Sequence, residues 1–260
     1  MPEGHTVHRI ARDHHKWFAG RELAVLSPQG RFEEGAEHLS GRKLTRVEAF
    51  GKHLIYQFGR ERLHIHLGLY GKFRLHRTPP PEPRGAVRVR MIGQERAFDL
   101  NGPNACHLLT KSEFEALRNR IGPDPLREDA DPSVAWDRIR QSPTAIGALL
   151  LNQSVISGLG NIYRAEILHI LGIHPDRPGK EIVHEEFDQI WQLSVDLLQI
   201  GVKYNRIITA IDSATTALSK MKSGERLLIY KKPTCPRCEA DVYYWDVGNR
   251  RVYACDSCQV

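Results

Sequence analysis

Along the first 120 residues the apolar positions change period. From residue 6 to 18, Val7, Ile10, Ala11, Trp17 and Phe18 recur at helical spacing and Gly20 closes the run. That spacing predicts a helix with one apolar stripe against a core. The writing then becomes two-fold. In RLHIHLGLYGKFRLHR, Leu63, Ile65 and Leu67 alternate with His64 and His66, and the alternation resumes at Phe73 and Leu75. In AVRVRMI, Val87, Val89 and Met91 alternate with Arg88 and Arg90. Period two predicts half-buried antiparallel strands, hence a β-sandwich or barrel. TPPPEPRG, between two of these strands, reads as a surface loop.

The pattern changes again at IGPDPLREDADPS, residues 121–133, whose prolines and acids predict a linker. Helical segments are predicted beyond it at 145–151, 162–171, 184–200 and 207–218. In the third, Phe187, Ile190, Trp191, Ser194, Val195 and Leu198 mark one face. A short strand-like tail follows KKPTCPRC, and no internal repeat is visible. The expected fold class is α+β: a β-sandwich domain with an N-terminal helix at 1–120, a linker at 121–133, a helical domain at 134–222 and a cysteine module at 223–260.

Composition narrows the picture modestly. A hydrophobic content of 41% and a charged content of 26% fit a folded chain rather than a disordered one. No apolar run is long enough for a membrane span, and charged residues interrupt the N-terminus where a signal peptide needs an apolar core. A cytoplasmic chain is the expectation. Lys and Arg exceed Asp and Glu by 37 to 31, a mild excess compatible with a nucleic-acid partner.

The cysteines say more. Cys235-x₂-Cys238, sixteen intervening residues, and Cys255-x₂-Cys258 have the spacing of a four-thiolate zinc site. Two residues between cysteines let both sulfurs of a knuckle reach one tetrahedral ion. Four protein ligands leave no open position, so one Zn²⁺ here is structural and its affinity is folding energy. Unpaired or disulfide-linked cysteines are the alternative. Strand formers flank the turn signal Gly248-Asn249 between the knuckles, as a hairpin requires. Arg250 and Arg251 beside that turn are either solvated or within reach of a phosphate. Cys106 reads as a small core residue.

In LLLNQSVISGLGNIYRAEILHILGIHP, Gly158-Leu159-Gly160-Asn161 separates two helical segments. Glycines permit a tight turn and close backbone approach to a ligand, and a helix start favours an anion. Asn161 either caps that helix or gives its side-chain amide to a phosphate.

PEGHT, GKHLIYQF, HLGLYGKFRL, IGPDPL, the glycine-turn segment and IYKKPTCPRC…RVYACDSCQ occur in an order that resembles the formamidopyrimidine-DNA glycosylase and endonuclease VIII family from end to end. The resemblance implies a helix-two-turn-helix DNA-binding element at the glycine turn and a zinc finger at the cysteines. It also implies a bifunctional DNA glycosylase and abasic-site lyase of base excision repair. Loss of Met1 would expose Pro2 as a secondary amine with a pKa near ~8, partly uncharged at neutral pH and therefore nucleophilic. The family role is attack on C1′ of the damaged nucleotide, followed by a Schiff base and β,δ-elimination. Glu3 matches the carboxyl that moves protons as the sugar ring opens, a task that partial burial would favour by raising its pKa.

Lys52, also counted with the catalytic group, Asn161 and Arg250 match the family's phosphate contacts, which position DNA without reading its sequence. Leu69 and Tyr70 match the loop that fills the gap left by an extruded nucleotide. Where the endonuclease VIII type carries Gln-Leu-Tyr, this chain has Gly68-Leu69-Tyr70; core residues at a strand end are the other reading. His5 and Thr6 replace a proline and an acid common in relatives. PEGHT and LYG point to the endonuclease VIII branch, hence to oxidised pyrimidines. The implied partner is damaged DNA lying in a cleft between two domains of a monomer. The competing expectation is a catalytically inactive damaged-DNA-binding protein of the same fold; a zinc-ribbon structural protein is a second. His64 and His66 are expected to meet solvent or phosphate rather than metal.

Overall fold

A computed structural model describes residues 2–211, 214, 216–247 and 250–260. The chain divides into two compact units, one of residues 2 and 7–119, the other of residues 3–6 and 120–260.

Helix α1 (Gly4–Phe18) supplies the first unit with the predicted stripe: Val7, Ala11 and Phe18 are buried in its core. Strand β1 (Ala24–Leu26) and the short helix α2 (Glu33–Leu39) follow. The remaining strands are β2 (Arg46–Phe50), β3 (His53–Phe58), β4 (Glu61–His66), β5 (Lys72–Arg77), β6 (Val87–Ile92), β7 (Arg96–Asn101) and β8 (Ala105–Leu109). They form two four-stranded sheets, ordered β1-β6-β7-β5 and β2-β3-β4-β8, with every pairing antiparallel. Their inner faces share one core with α1, and helix α3 (Lys111–Arg120) follows β8.

The alternation holds where both neighbours are strands: Leu63, Ile65, Leu67, Val87, Val89 and Met91 are all buried. It weakens on β5, an edge strand, where Leu75 is exposed. It misleads at Arg90, which is buried because Asp99 on β7 holds it with two bonds of 2.6 and 2.9 Å. His76 adds a third contact to Asp99 at 3.1 Å. A forked guanidinium–carboxylate pair offsets much of the desolvation that burial imposes.

In the second unit, helix α4 (Pro132–Arg140) begins inside the expected linker. Pro132 sits in the first turn and the Asp131 side chain accepts the Ser133 amide, so the acids and prolines read as a loop signal also make a helix start. The segment before it is packed rather than loose: the Gly122 amide donates to the Gln153 carbonyl, and the Ser157 amide to that of Pro123. Helices α5 (Ile146–Leu149), α6 (Asn161–Leu171) and α7 (His184–Tyr204) surround an apolar core containing Ile156, Leu159, Tyr163, Ile167, Phe187, Ile190 and Leu198.

The predicted helix at 207–218 does not form where the chain is described. Residues 207–211 are irregular, because the amides of Thr209 and Ala210 both turn to the Arg226 carbonyl. Ile208 and Ala210 are buried with Met221 without helical period. Asp212, Ser213 and Thr215 lie outside the described residues. Strands β9 (Tyr243–Val247) and β10 (Arg250–Ala254) form the expected hairpin; its turn signal, Gly248-Asn249, also lies outside them.

Buried histidines couple this fold to pH. His14 is enclosed by Phe18, Phe73 and Phe98 and joined to the Tyr56 hydroxyl at 2.6 Å; burial pushes its pKa down to about 3. Burial lowers His5, against Tyr163, to about 4. Unfolding lets each regain an ordinary pKa near ~6.5, so below that pH the unfolded chain binds protons the folded one refuses. Stability must therefore fall with acid, by about 1.4 kcal/mol per pH unit for each such histidine between its two pKa values. Thermal melts from pH 7 to 4.5 are expected to show a falling Tm, and His14→Phe is expected to flatten the slope. An unchanged slope in that variant would refute the assignment.

Candidate catalytic and DNA-binding residues

Pro2 is half-buried at a small cavity of about 40 Å³ lined by Val7, Lys52, His66, Leu67 and Gly68. Lys52 reaches it from the tight turn between β2 and β3, and His66 from the end of β4. Beyond His66 the chain turns sharply, with the Gly71 amide donating to the Leu67 carbonyl at 2.9 Å. Leu69 and Tyr70 cap that turn and are 54% and 83% exposed, so they are not core residues. Gly68 has φ +63°, and a Cβ there would lie 2.8 Å from the Asn104 side chain. A side chain at this position would be strained and would have to displace Asn104, so glycine suits the loop as it is folded.

Glu3 is buried in the second unit, where its Oε1 accepts the Ile162 amide in the first turn of α6 at 3.0 Å. Gly160 precedes that helix and has no side chain to cap it, so Glu3 takes the capping role. The glycines of the turn serve this contact. A Cβ on Gly160 would sit 2.4 Å from Cδ of Glu3, and Gly4 donates its amide to the Gly158 carbonyl at 2.8 Å. The glycine turn, whose spacing predicts room for a ligand, also makes room for Glu3 and Gly4. His5, beside Tyr163, is neutral at pH 7, because burial lowers its pKa to about 4.

Asn161 opens α6 but does not cap it, so the capping alternative is set aside. Its Nδ2 donates to the Arg251 carbonyl at 2.9 Å, and its Oδ1 accepts from Arg164. Arg164 was missed in the sequence. It is fully buried, donates to the carbonyls of Gly147 and Arg251, and ties Asn161 to the strand that bears Arg250. Burial lowers its pKa to about 10, still far above neutrality, so it stays charged. Only its place one turn after Asn161 signalled the role. Arg250 is exposed at the start of β10, and Arg251 stacks over Tyr244 at 4.5 Å.

The four predicted cysteines converge. Their sulfurs lie within 4.8 Å of one another, with Cys235–Cys258 at 3.8 Å and Cys238–Cys255 at 3.5 Å. A tetrahedron of sulfurs around zinc, at about 2.3 Å per bond, has edges near about 3.8 Å. The donor set therefore fits a metal ion. The module is braced on α6: Ala165 packs with Ile229, Cys235, Tyr253 and Cys255, and Gln259 donates to the Ile173 carbonyl. Trp245 donates to Asp176 and stacks on His174. Cys106 is buried, as expected.

A β-sandwich, a helical unit with a glycine turn opening α6, and a four-cysteine hairpin define a class of DNA repair glycosylase. Residues 1–102 match the formamidopyrimidine-DNA glycosylase N-terminal domain and residues 121–213 the formamidopyrimidine-DNA glycosylase H2TH domain. The chain is 43% identical to Endonuclease 8 1 of Mycobacterium tuberculosis over the full length of both. It is 25% identical to the formamidopyrimidine-DNA glycosylase of Lactococcus lactis, covering 100% of this chain and 99% of that one. Solved complexes of the Lactococcus lactis Fpg with abasic-site DNA and with DNA carrying N7-benzyl-Fapy-dG superpose with TM-scores of 0.81 and 0.82, covering 99% of each chain. The chain belongs to the formamidopyrimidine-DNA glycosylase family and is a DNA glycosylase with abasic-site lyase activity. Among the described residues, no helix is long and apolar enough to cross a membrane.

Proposed function

We propose that this enzyme removes oxidised pyrimidines from damaged DNA through a Schiff base on Pro2 and then cuts the strand by β,δ-elimination. The observation that carries the reading is the cavity shared by Pro2, Lys52 and His66. The Pro2 nitrogen bonds C1′ as the bond to the base breaks, and the base leaves with a proton. The C1′–O4′ bond of that adduct then breaks, O4′ taking a proton, and the iminium so formed on C1′ withdraws electrons from C2′. Loss of a C2′ proton expels the 3′-phosphate, and a second elimination expels the 5′-phosphate. Glu3, whose carboxyl is held in one orientation by the Ile162 amide, passes the proton that opens the sugar ring.

Lys52, Asn161 and Arg250 grip phosphates, while the exposed Leu69 and Tyr70 occupy the place of the extruded base. The four thiolates hold one structural Zn²⁺. The β-sandwich at 1–120 carries the nucleophile, and 134–222 and 223–260 carry the DNA-binding elements. The protein acts as a monomer in the cytoplasm. The preference for pyrimidines is supported by the higher identity to Endonuclease 8 1, 43% against 25% for the Lactococcus lactis glycosylase.

Borohydride trapping on abasic-site DNA, followed by peptide mass spectrometry, tests the mechanism. The expected adduct lies on the amine of Pro2 in a chain without Met1, and one residue added ahead of Pro2 abolishes it. An adduct on a lysine, or none, overturns the reading, and the latter outcome favours a damaged-DNA binder without chemistry. Excision rates across a lesion panel test the preference: oxidised purines leaving faster would refute it.

A further inference from the structure

One face of the β9–β10 hairpin carries a row of rings with a cation at each end. Antiparallel pairing sets Tyr244 directly opposite Tyr253 and Asp246 directly opposite Arg251, so these four side chains share a face. The ring centroids of Tyr244 and Tyr253 are 6.0 Å apart, and Tyr230, at the root of the module, stands against Tyr253 at 5.0 Å. The Arg251 guanidinium lies 4.5 Å from the centroid of Tyr244, and the Lys231 ammonium 5.6 Å from that of Tyr230. Tyr253 is buried, whereas Tyr244 is 60% exposed and Arg251 and Lys231 are exposed with it. The inner ring steadies the outer one, which leaves less side-chain freedom to lose on binding.

We propose that Tyr244 and Arg251 form a stacking platform for an unpaired base of single-stranded DNA. The inference extends the reading of this hairpin as a DNA-binding element, and rests on it. Every base has a π-face, and an aromatic ring or a guanidinium plane offers the complementary surface. In a duplex those faces are covered by neighbouring bases, so such a platform serves unstacked DNA and adds little to paired DNA. Packing does not account for Tyr244: the module's apolar cluster takes in Tyr253 and Tyr230 and leaves Tyr244 in solvent. Charge favours nucleic acid as the occupant, because Arg251 and Lys231 outnumber the carboxylate of Asp246 on this face. Position favours it too. Arg250, the proposed phosphate contact, precedes Arg251 on β10 and so points to the opposite face. Asn161, another of those contacts, donates to the Arg251 carbonyl at 2.9 Å. The same strand thus offers a phosphate contact on one face and a base contact on the other.

Fluorescence anisotropy of the zinc-loaded full chain on an undamaged single-stranded oligothymidine and on an abasic-site duplex tests the platform. Tyr244→Ala is expected to weaken oligothymidine binding about tenfold with its salt slope unchanged, because no charge is lost. Arg251→Ala is expected to weaken it by a similar factor and to lower the slope. Tyr244→Phe keeps the ring and is expected to stay within about twofold of the native protein. Both Tyr244 variants are expected to bind the duplex as the native protein does. Retained zinc and an unchanged melting temperature exclude misfolding, and Arg251→Ala reads the same platform independently of Tyr244→Ala. A native chain that does not bind the oligothymidine, a folded Tyr244→Ala or Arg251→Ala that binds it undiminished, or a Tyr244→Ala loss matched on the duplex overturns the proposal. Undiminished duplex affinity in Arg250→Ala counts instead against the phosphate contact, which the oligothymidine comparison does not use.

Discussion

Stripping the metal from the four-thiolate site is expected to unfold the β9–β10 hairpin and weaken DNA binding sharply. Structural zinc in such modules contributes about 10–16 kcal/mol of apparent binding energy, as much as the whole stability of an ordinary domain. The hairpin's bracing on α6 passes largely through the metal-binding residues themselves. Tyr243 and Tyr244 are exposed, and Cys235 and Cys255 are themselves members of its small apolar cluster. Removing the ion removes the four bonds that hold these sulfurs 3.5–3.8 Å apart. The damage spreads to α6, because Arg164 and Asn161 both bond to the Arg251 carbonyl. Two of the proposed phosphate contacts, Asn161 and Arg250, are then lost together. Titrations with abasic-site DNA over a salt series are expected to show weaker binding and a log–log slope reduced by about 1, since a cationic contact such as Arg250 contributes about 0.9 and the neutral Asn161 releases no counterion. A chelated protein that keeps its near-ultraviolet circular dichroism and its salt slope would contradict this account.

Residues whose role depends on near neighbours in the chain were legible. The two Cys-x₂-Cys knuckles fix their own ligand geometry, and the alternation at Leu63–Leu67 and Val87–Met91 reports a sheet face directly. The stripe in α1 and most of the face of α7 followed from spacing alone, though Leu197 rather than Val195 is the residue buried there. What escaped depends on distant partners. Arg90 looks like any outward strand residue until Asp99 lies across the sheet. The segment at 207–211 has helical periodicity, yet its amides are claimed by Arg226. Glycines in GLG were readable as a tight turn, but their occupant, Glu3, lies more than 150 residues earlier. His64 escaped for a related reason: it reads as an outward strand residue, yet it is buried, with its Nε2 2.9 Å from Nδ1 of His53 on the neighbouring strand.

Glu166 shows how far a single unread residue reaches, and Glu166→Ala is expected to destabilise the second unit by roughly 3–5 kcal/mol. Its carboxylate is fully buried and accepts the amides of Leu228, Ile229 and Tyr230 at 2.7–2.9 Å, together with the Thr209 hydroxyl. Charge-assisted bonds of this kind are among the strong ones, and deleting the acceptor leaves three backbone donors buried without it. The segment they fix leads into Cys235, and Glu166 rises from the same helix as Asn161 and Arg164. One buried carboxylate therefore ties the DNA-binding helix to the root of the metal module. Glu166→Gln keeps the shape but turns an NH₂ group toward amide donors, so it should fall between alanine and the native residue. Urea unfolding with unchanged m-values measures the three proteins on one scale. If Glu166→Ala lies within about 1 kcal/mol of the native protein, ordinary for a surface change, the carboxylate is not the anchor its bonds describe.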